Sequence, residues 1–230
     1  TDQQARGPTD NEVSMKDIRR QSPVVFEKKT AQTEKRGAWT VVLAYENQGA
    51  GPFLIDLSHI PRWDLQDGNL DGLKPFDRTL PTVPGNAVLK NNMLIHRMNR
   101  TQASLWILNG NDFTELKDPA CTETSDATVL LALLGKNIFR IAEKVSSLDF
   151  RDPEKPDPCL FQGPLIHVPC QMVWIDRFSD SPCMLLTCSR GYAHDMVQGL
   201  LEAGSEFGLT PAGEATFGDW LKNRKPIVAS

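Results

Sequence analysis

The sequence predicts an α+β chain in which antiparallel sheets carry helices packed on their faces. Three observations lead there. Short runs of β-branched and aromatic residues, separated by turn residues, recur along the chain. Two later stretches place apolar residues at helical spacing. Helices follow groups of strands instead of alternating with single strands, which is the order of an α+β fold and not of a parallel sheet. The pattern has two halves: strands through residue 108, then strand, helix, strands and helix after residue 127.

Residues 1–37 are rich in charge, with Ile18, Val24, Val25 and Phe26 as candidates for docking. They read as a polar N-terminal arm ahead of a single module at 38–230. Regular structure is expected to begin with Trp39-Thr40-Val41-Val42-Leu43-Ala44-Tyr45, a β-branched and aromatic strand. Turn residues at 47–52 lead to a second strand at 53–57 and a third at 63–65. Gly68, Gly72, Pro75, Pro81, Pro84 and Gly85 make 66–90 loop around at most a short helix. Strands follow at 93–98 and 104–108, joined through Arg100-Thr101-Gln102 as a hairpin. Residues 128–134 form a buried strand stopped by Gly135. Ile138, Ile141, Ala142 and Val145 then mark an amphipathic helix. Three prolines make 151–159 a loop. Strands are expected at 165–168, 172–178 and 184–188. Two columns, Tyr192/Met196/Leu200 and Ala193/Val197/Leu201, give a helix with a wide apolar stripe, and Gly208 is placed to stop it. A last helix spans 212–221. Trp39, Trp63, Trp106 and Trp174 all fall in strands, as core or inter-subunit anchors, and Trp220 lies with Phe217 on the final helix.

Composition narrows the function classes. The chain has 230 residues, 40% of them hydrophobic, with 25 Lys and Arg against 29 Asp and Glu and a net charge of −4. That balance, without a basic stripe, argues against nucleic acid as a partner. No apolar run approaches the ~20 residues that span a bilayer, and the polar start Thr1-Asp2-Gln3-Gln4 shows no signal peptide. The cysteines at 121, 159, 170, 183 and 188 are odd in number and none has CxxC spacing. Five free thiols in a cytoplasmic protein are expected, with neither zinc nor a disulfide framework.

Conventional catalytic patterns are missing. No GxSxG is present, nor a local signature of a cysteine hydrolase. GxGxxG and GxxxxGK[ST] are absent, and Leu134-Gly135-Lys136-Asn137 offers one glycine at a strand-to-helix turn, a weak phosphate signal that reads first as a tight turn. No HExxH or EF-hand spacing exists. Of the histidines, His59 follows an apolar strand in Asp56-Leu57-Ser58-His59, where Asp56 and Ser58 are expected to bond local backbone. His96 and His167 read as packed side chains, and His194 lies in the capping region of a helix.

Three segments together resemble a known family. Phe53-Leu54-Ile55-Asp56-Leu57-Ser58-His59-Ile60 with Trp63-Asp64-Leu65 looks like the D-x-S-H strand and turn of the glycine-cleavage T-protein, an aminomethyltransferase. Asn92-Met93-Leu94-Ile95-His96-Arg97-Met98 with 104–109 resembles that fold's folate-facing hairpin. Ser189-Arg190-Gly191-Tyr192-Ala193-His194, running on through Gly208 to Gly213, is similar to the family's R-G-Y … L-L-x-A-G … G-L-x-P-x-G stretch. The resemblance covers 39–221 and implies a T-protein-like, folate-binding-type module. If folate is bound, it implies contacts from Asn92, His59, Arg190 and Tyr192.

The departures set the functional expectation. The family's Asp beside the folate nitrogen is matched by Asn92, which neither takes up a proton nor supplies charge. The segment carrying the pterin-holding Glu is cut short at Gly191-Tyr192. The length and the 189–208 helix resemble the gamma subunit of heterotetrameric sarcosine oxidase, a module of this type inside a flavoenzyme complex. The resemblance therefore implies a noncatalytic subunit of a sarcosine-oxidase-type oxidoreductase, with no catalytic residue and no cofactor of its own, larger oxidoreductase subunits as partners, and FAD and NAD in those partner chains. The alternatives are a tetrahydrofolate-dependent one-carbon transferase, in which Asn92 still orients the pterin, and a stand-alone folate-binding protein.

Overall fold

A computed structural model describes residues 19–110 and 116–224; of the arm expected at 1–37, residues 1–18 lie outside the described residues. In chain order the elements are β1 (Thr30–Arg36), β2 (Trp39–Tyr45), β3 (Phe53–Asp56), β4 (Arg62–Gln66), β5 (Ala87–Lys90), β6 (Met93–Arg97), β7 (Gln102–Ile107), β8 (Cys121–Glu123), β9 (Thr128–Leu134), α1 (Ile138–Val145), β10 (Cys159–Leu165), β11 (Val168–Ile175), β12 (Cys183–Ser189), α2 (Ala193–Gly204), β13 (Thr210–Ala212) and α3 (Glu214–Asn223). They form a two-stranded ribbon β1-β2, a six-stranded sheet ordered β10-β11-β12-β9-β3-β13, and a five-stranded sheet ordered β5-β6-β7-β4-β8. The strand pairs are antiparallel except β13 on β3. The fold is α+β, as the order of strands and helices predicts.

The sheets stack because their strands are apolar on both faces. In β9, Val129, Leu131 and Leu133 join the core under the helices, while Leu130, Ala132 and Leu134 join the core between the sheets. Side chains alternate with a period of two, so a strand buried on both sides reads as one continuous apolar run. The helix-side layer closes on α1 and α2 through Ile138, Ile141, Met196 and Leu200, with Phe139 stacked on Trp174 at 4.1 Å. The middle layer holds Trp106, Ile175 and Leu185 and is closed at one end by Phe217 and Leu221 of α3. A third cluster, with Trp63, Leu65 and Leu105, packs on the outer face of the five-stranded sheet under Leu70 and Leu80 of the long loop. Trp39, Trp63, Trp106 and Trp174 are all buried in this way.

Several elements differ from expectation. Among the described residues, regular structure begins at Thr30 and not at Trp39: β1 is exposed and polar, and pairing with β2, not burial, makes it a strand. Phe26, four residues ahead of it, is buried in the helix-side core. The strand expected at 165–168 is a hairpin turn between β10 and β11, with Ile166 at φ 51° and His167 at φ 64°. With positive φ at both positions the loop is of type I′, a conformation that a β-branched residue resists. Contact offsets that strain. Ile166 packs on the core beside Gly199 of α2, where an added Cβ would lie 2.6 Å from Ile166 Cδ1. His167, expected to be packed, is exposed at this turn. β10 contains Gly163 and Pro164, which read as breakers; both are tolerated because β10 is the sheet's edge. β5, β8 and β13 were not foreseen either, each being only three or four residues long. Tyr192 lies outside α2, in a 3-10 turn, and is exposed, while Met196 and Leu200 of its expected column are buried.

Candidate functional site

The Asp56-Leu57-Ser58-His59 segment turns the chain from β3 into β4. Asp56 accepts the Ser58 N–H at 2.9 Å, and Ser58 Oγ accepts the Leu130 N–H at 3.3 Å. Arg62, the first residue of β4 and 1% exposed, locks the turn from inside. Its Nε donates to Thr128 Oγ1 at 3.2 Å, Nη1 to the carbonyls of Ser58 (3.2 Å) and Ile60 (2.6 Å), and Nη2 to those of Ser125 (2.8 Å) and Thr128 (2.9 Å). A buried guanidinium is tolerated when its donors are satisfied, and here all five N–H bonds have acceptors. Burial pulls Arg62 down to about 10, opposed by the charges of Asp56, Asp126 and Glu123. It remains a cation at neutral pH. Burial also pushes the Asp56 carboxyl above the usual carboxylate range, against hydrogen bonds from Ser22 and Ser58.

His59 faces a cleft of about 590 Å³ whose walls include Arg20, Arg36, Trp39, Glu34 and Glu123. Arg36, at the end of β1, grips Glu214 of α3 with both Nη atoms at 3.2 Å and reaches Glu34 at 2.7 Å through Nε. Arg20 pairs with Asp126 at 3.1 Å and lies 6.0 Å from the Trp39 ring centroid. His59 Nε2 is 3.5 Å from Arg36 Nη1; a guanidinium only donates, so this long contact assigns Nε2 as the acceptor. Burial first, then the charges of Arg36 and Arg62, lower the His59 imidazole to about 3. It is neutral at physiological pH. A general acid or base works best with a pKa near the operating pH, and His59 lies far from it. The acids and bases of this cleft are matched to one another, which makes it a joint between β1, α3 and the β3–β4 turn.

The other residues singled out from sequence are spread out. Asn92 is the second residue of the β5–β6 turn, at φ 60° after Asn91 at φ 53°, and its carbonyl accepts the Leu108 N–H at 2.8 Å. Arg190 follows β12; its N–H bonds the Ala127 carbonyl at 3.0 Å and its guanidinium bonds the Gln21 carbonyl. Gln21 and His59 line one adjoining cleft, so the 20–24 segment links His59 to Arg190. Tyr192 stands 47% exposed. No hydrogen bond joins any two of these four among the described residues. Sequence reasoning missed Arg36, Glu214 and Arg62. Arg36 and Glu214 are 178 positions apart, so no local spacing could connect them. Arg62 did carry a signal: Arg62 and Asp64 alternate with Trp63 and Leu65, which puts the charged pair on one face of β4.

No family model matches the chain, and no curated protein does. Among solved structures, a chain of the heterotetrameric sarcosine oxidase from Corynebacterium sp. U-96, determined in complex with pyrrole 2-carboxylate, is similar in fold. Identity is 15% and the TM-score 0.53, over 70% of this chain and 88% of that one. What the two share at that identity is the fold.

A wider cleft, about 970 Å³, opens between Phe53, Phe207 and Trp220. Asp176 and Arg224 form a buried bidentate pair at its edge, at 3.0 and 2.9 Å, and Trp220 Nε1 donates to the Ser181 carbonyl at 3.0 Å. Among the described residues the five cysteines are unpaired, no three His, Cys, Asp or Glu side chains converge as a metal site, and no helix is long and apolar enough to cross a membrane.

Proposed function

We propose that the chain is a noncatalytic subunit of a multisubunit oxidoreductase of the sarcosine oxidase type, with flavin, NAD and any folate held by partner chains in the cytoplasm. The observation that carries this reading is the fold shared with a chain of a heterotetramer across 88% of that chain's length. The side chains around the D-x-S-H segment agree with it. Asp56 and Ser58 hold backbone, Arg36 holds Glu214, and His59 is neutral. Asn92 serves a turn that requires positive φ. Little is left there to hold a pterin or move a proton.

A subunit of this kind acts through contact area, and a stable interface takes more than ~1,000 Å². Phe26 and Trp39, natural anchors from the sequence, are each 8% exposed and belong to the chain's own interior. Exposed Val25, Phe178 and Tyr192 replace them as candidate anchors. Native mass spectrometry of the tagged protein from its own host tests the reading. Co-purifying larger chains are expected; a monomer at every concentration overturns it. Calorimetry with tetrahydrofolate separates the transferase alternative. A low-micromolar dissociation constant, lost in Asn92→Leu, would put one-carbon transfer in place of the subunit role.

A further inference from the structure

The shallow cleft between the start of α1 and the turn after β11 departs from the chain's overall charge. Acids outnumber bases in the sequence, 29 to 25. The lining of this cleft, about 470 Å³ in volume, carries Lys136, Arg140, Arg151 and Arg177 against Asp180. β9 enters it through Gly135 (φ 108°), Lys136 and Asn137 (φ 69°). The Asn137 carbonyl accepts the Ile141 N–H at 3.1 Å, so the N–H groups of Ile138, Phe139 and Arg140 lie ahead of the helical ladder. The Asn137 side chain caps none of them, and the first turn holds no acid. Such a start presents donors and a partial positive charge.

Helix starts are common, and this one has a second feature beside it. Arg177 is 2% exposed and lines the same cleft. Its two Nη atoms carry four N–H bonds. Four backbone carbonyls take them, those of Phe150, Asp152, Lys155 and Pro156. The fifth donor, Nε–H, has no partner. A buried charged donor without an acceptor is costly, and native proteins seldom leave one. Arg151 is already bound to Glu143 at 2.7 Å, and the Arg140 guanidinium lies 4.6 Å from the Phe207 ring centroid with its N–H donors unspent among the described residues, so Lys136 and Arg140 are the exposed cations that can turn to a ligand.

We infer that this cleft binds a phosphate group, held between the first turn of α1, the Arg177 wall and the side chains of Lys136 and Arg140. The tetrahedral oxygens of a phosphate accept from backbone amides and cationic side chains at once, the arrangement that helix starts favour. Phe178, 65% exposed on the rim, has the Arg177 guanidinium 4.9 Å from its ring centroid and offers the exposed part of its ring to whatever the phosphate carries. The site is separate from the His59 cleft and does not depend on the subunit reading.

Nitrogen-15 NMR of the full chain, titrated with sodium phosphate and with adenosine monophosphate at ionic strength held constant with sodium chloride, tests it without any partner chain. Saturable shifts at the amides of Ile138, Phe139 and Arg140 and at Arg177 Nε are expected. The double variant Lys136→Gln/Arg140→Gln should weaken binding at least tenfold with an unchanged melting temperature. Tighter binding of the nucleotide identifies a ring-bearing ester as the source; equal binding identifies the free ion. Shifts that sodium chloride alone reproduces, or that persist at full affinity in the double variant, overturn the assignment.

Discussion

Arg62 and Arg177 are buried to the same degree, 1% and 2% exposed, and each ties a loop to a sheet through backbone carbonyls. They differ in one hydrogen. Arg62 places all five donors, the fifth on Thr128 Oγ1. Arg177 places four and leaves Nε–H unpartnered. Their surroundings differ in the same sense. Beside Arg62, Arg36 and Arg20 are matched by Glu214, Glu34 and Asp126. In the cleft that Arg177 lines, cations outnumber acids, although Asp157 accepts the Arg177 backbone N–H at 2.6 Å. The segment that looks most like a motif is thus a closed structural joint, and the turn after β9, whose single glycine reads first as a tight turn, keeps donors in reserve.

Substituting each arginine tests that contrast most severely. Arg62→Met strips four carbonyls, most of them fully buried, of their donors, and each buried group left unpaired costs about 1–3 kcal/mol. A loss of about 4 kcal/mol in urea unfolding is expected. Arg62→Lys should not restore it, because an ammonium has three donors and no planar fork. Arg177→Met also frees four carbonyls, but those of Asp152, Lys155 and Pro156 lie in a half-exposed loop where water replaces the guanidinium. About 2 kcal/mol is expected there. Equal losses at the two sites would break the comparison.

Why one joint was legible and the other was not follows from range. Asp56, Ser58 and His59 lie within four positions, and the expectation that Asp56 and Ser58 bond backbone needed only local chemistry. The long apolar strands and the amphipathic helices were legible for the same reason, since periodicity is a property of neighbours. β1 was not, because its strand character comes from its partner β2 and its side chains carry no apolar alternation. β10 was hidden by Gly163 and Pro164, which an edge position permits. Arg36 with Glu214, and Arg177 with its four carbonyls, join distant segments and leave no pattern in sequence.

Acidification sharpens the comparison next. His96 lies between the sheets, fully buried, with Nε2 3.0 Å from Gln171 Oε1 and Nδ1 unpartnered. Burial lowers it to about 4. Between that value and 6.5 the unfolded chain binds a proton that the folded chain refuses, so stability rises with pH across the window and is lost as pH falls. At pH 5 the loss relative to pH 7 is about 2 kcal/mol from His96. His59, lowered to about 3, acts in the same direction. Asp56 acts oppositely, since a raised carboxyl takes its proton first in the folded chain. Urea unfolding at pH 5 and 7 should show the net loss. His96→Gln should flatten the slope whatever it does to stability at pH 7. An unchanged slope would show that His96 does not titrate as a buried neutral imidazole.

Asn92 gives the smallest expected effect and bears most directly on the joint reading. It follows Asn91 in a two-residue hairpin turn, and both residues have positive φ, 53° and 60°. Asn tolerates that region and Gly occupies it freely, so Asn-Asn and Asn-Gly serve the same turn. If the turn is the whole role of Asn92, Asn92→Gly should change stability by less than about 0.5 kcal/mol, while Asn92→Leu forces a bulky residue into the left-handed region at about 1–2 kcal/mol. If the side chain instead serves a ligand, the ranking changes: Gly and Leu both lose the ligand, and stability tracks ligand concentration in the wild type alone. Thermal melting of the three proteins with and without tetrahydrofolate separates the two outcomes. A small Gly effect, a larger Leu effect and no shift with tetrahydrofolate would place Asn92 with Asp56 and Ser58, among residues whose polar chemistry is consumed by the backbone.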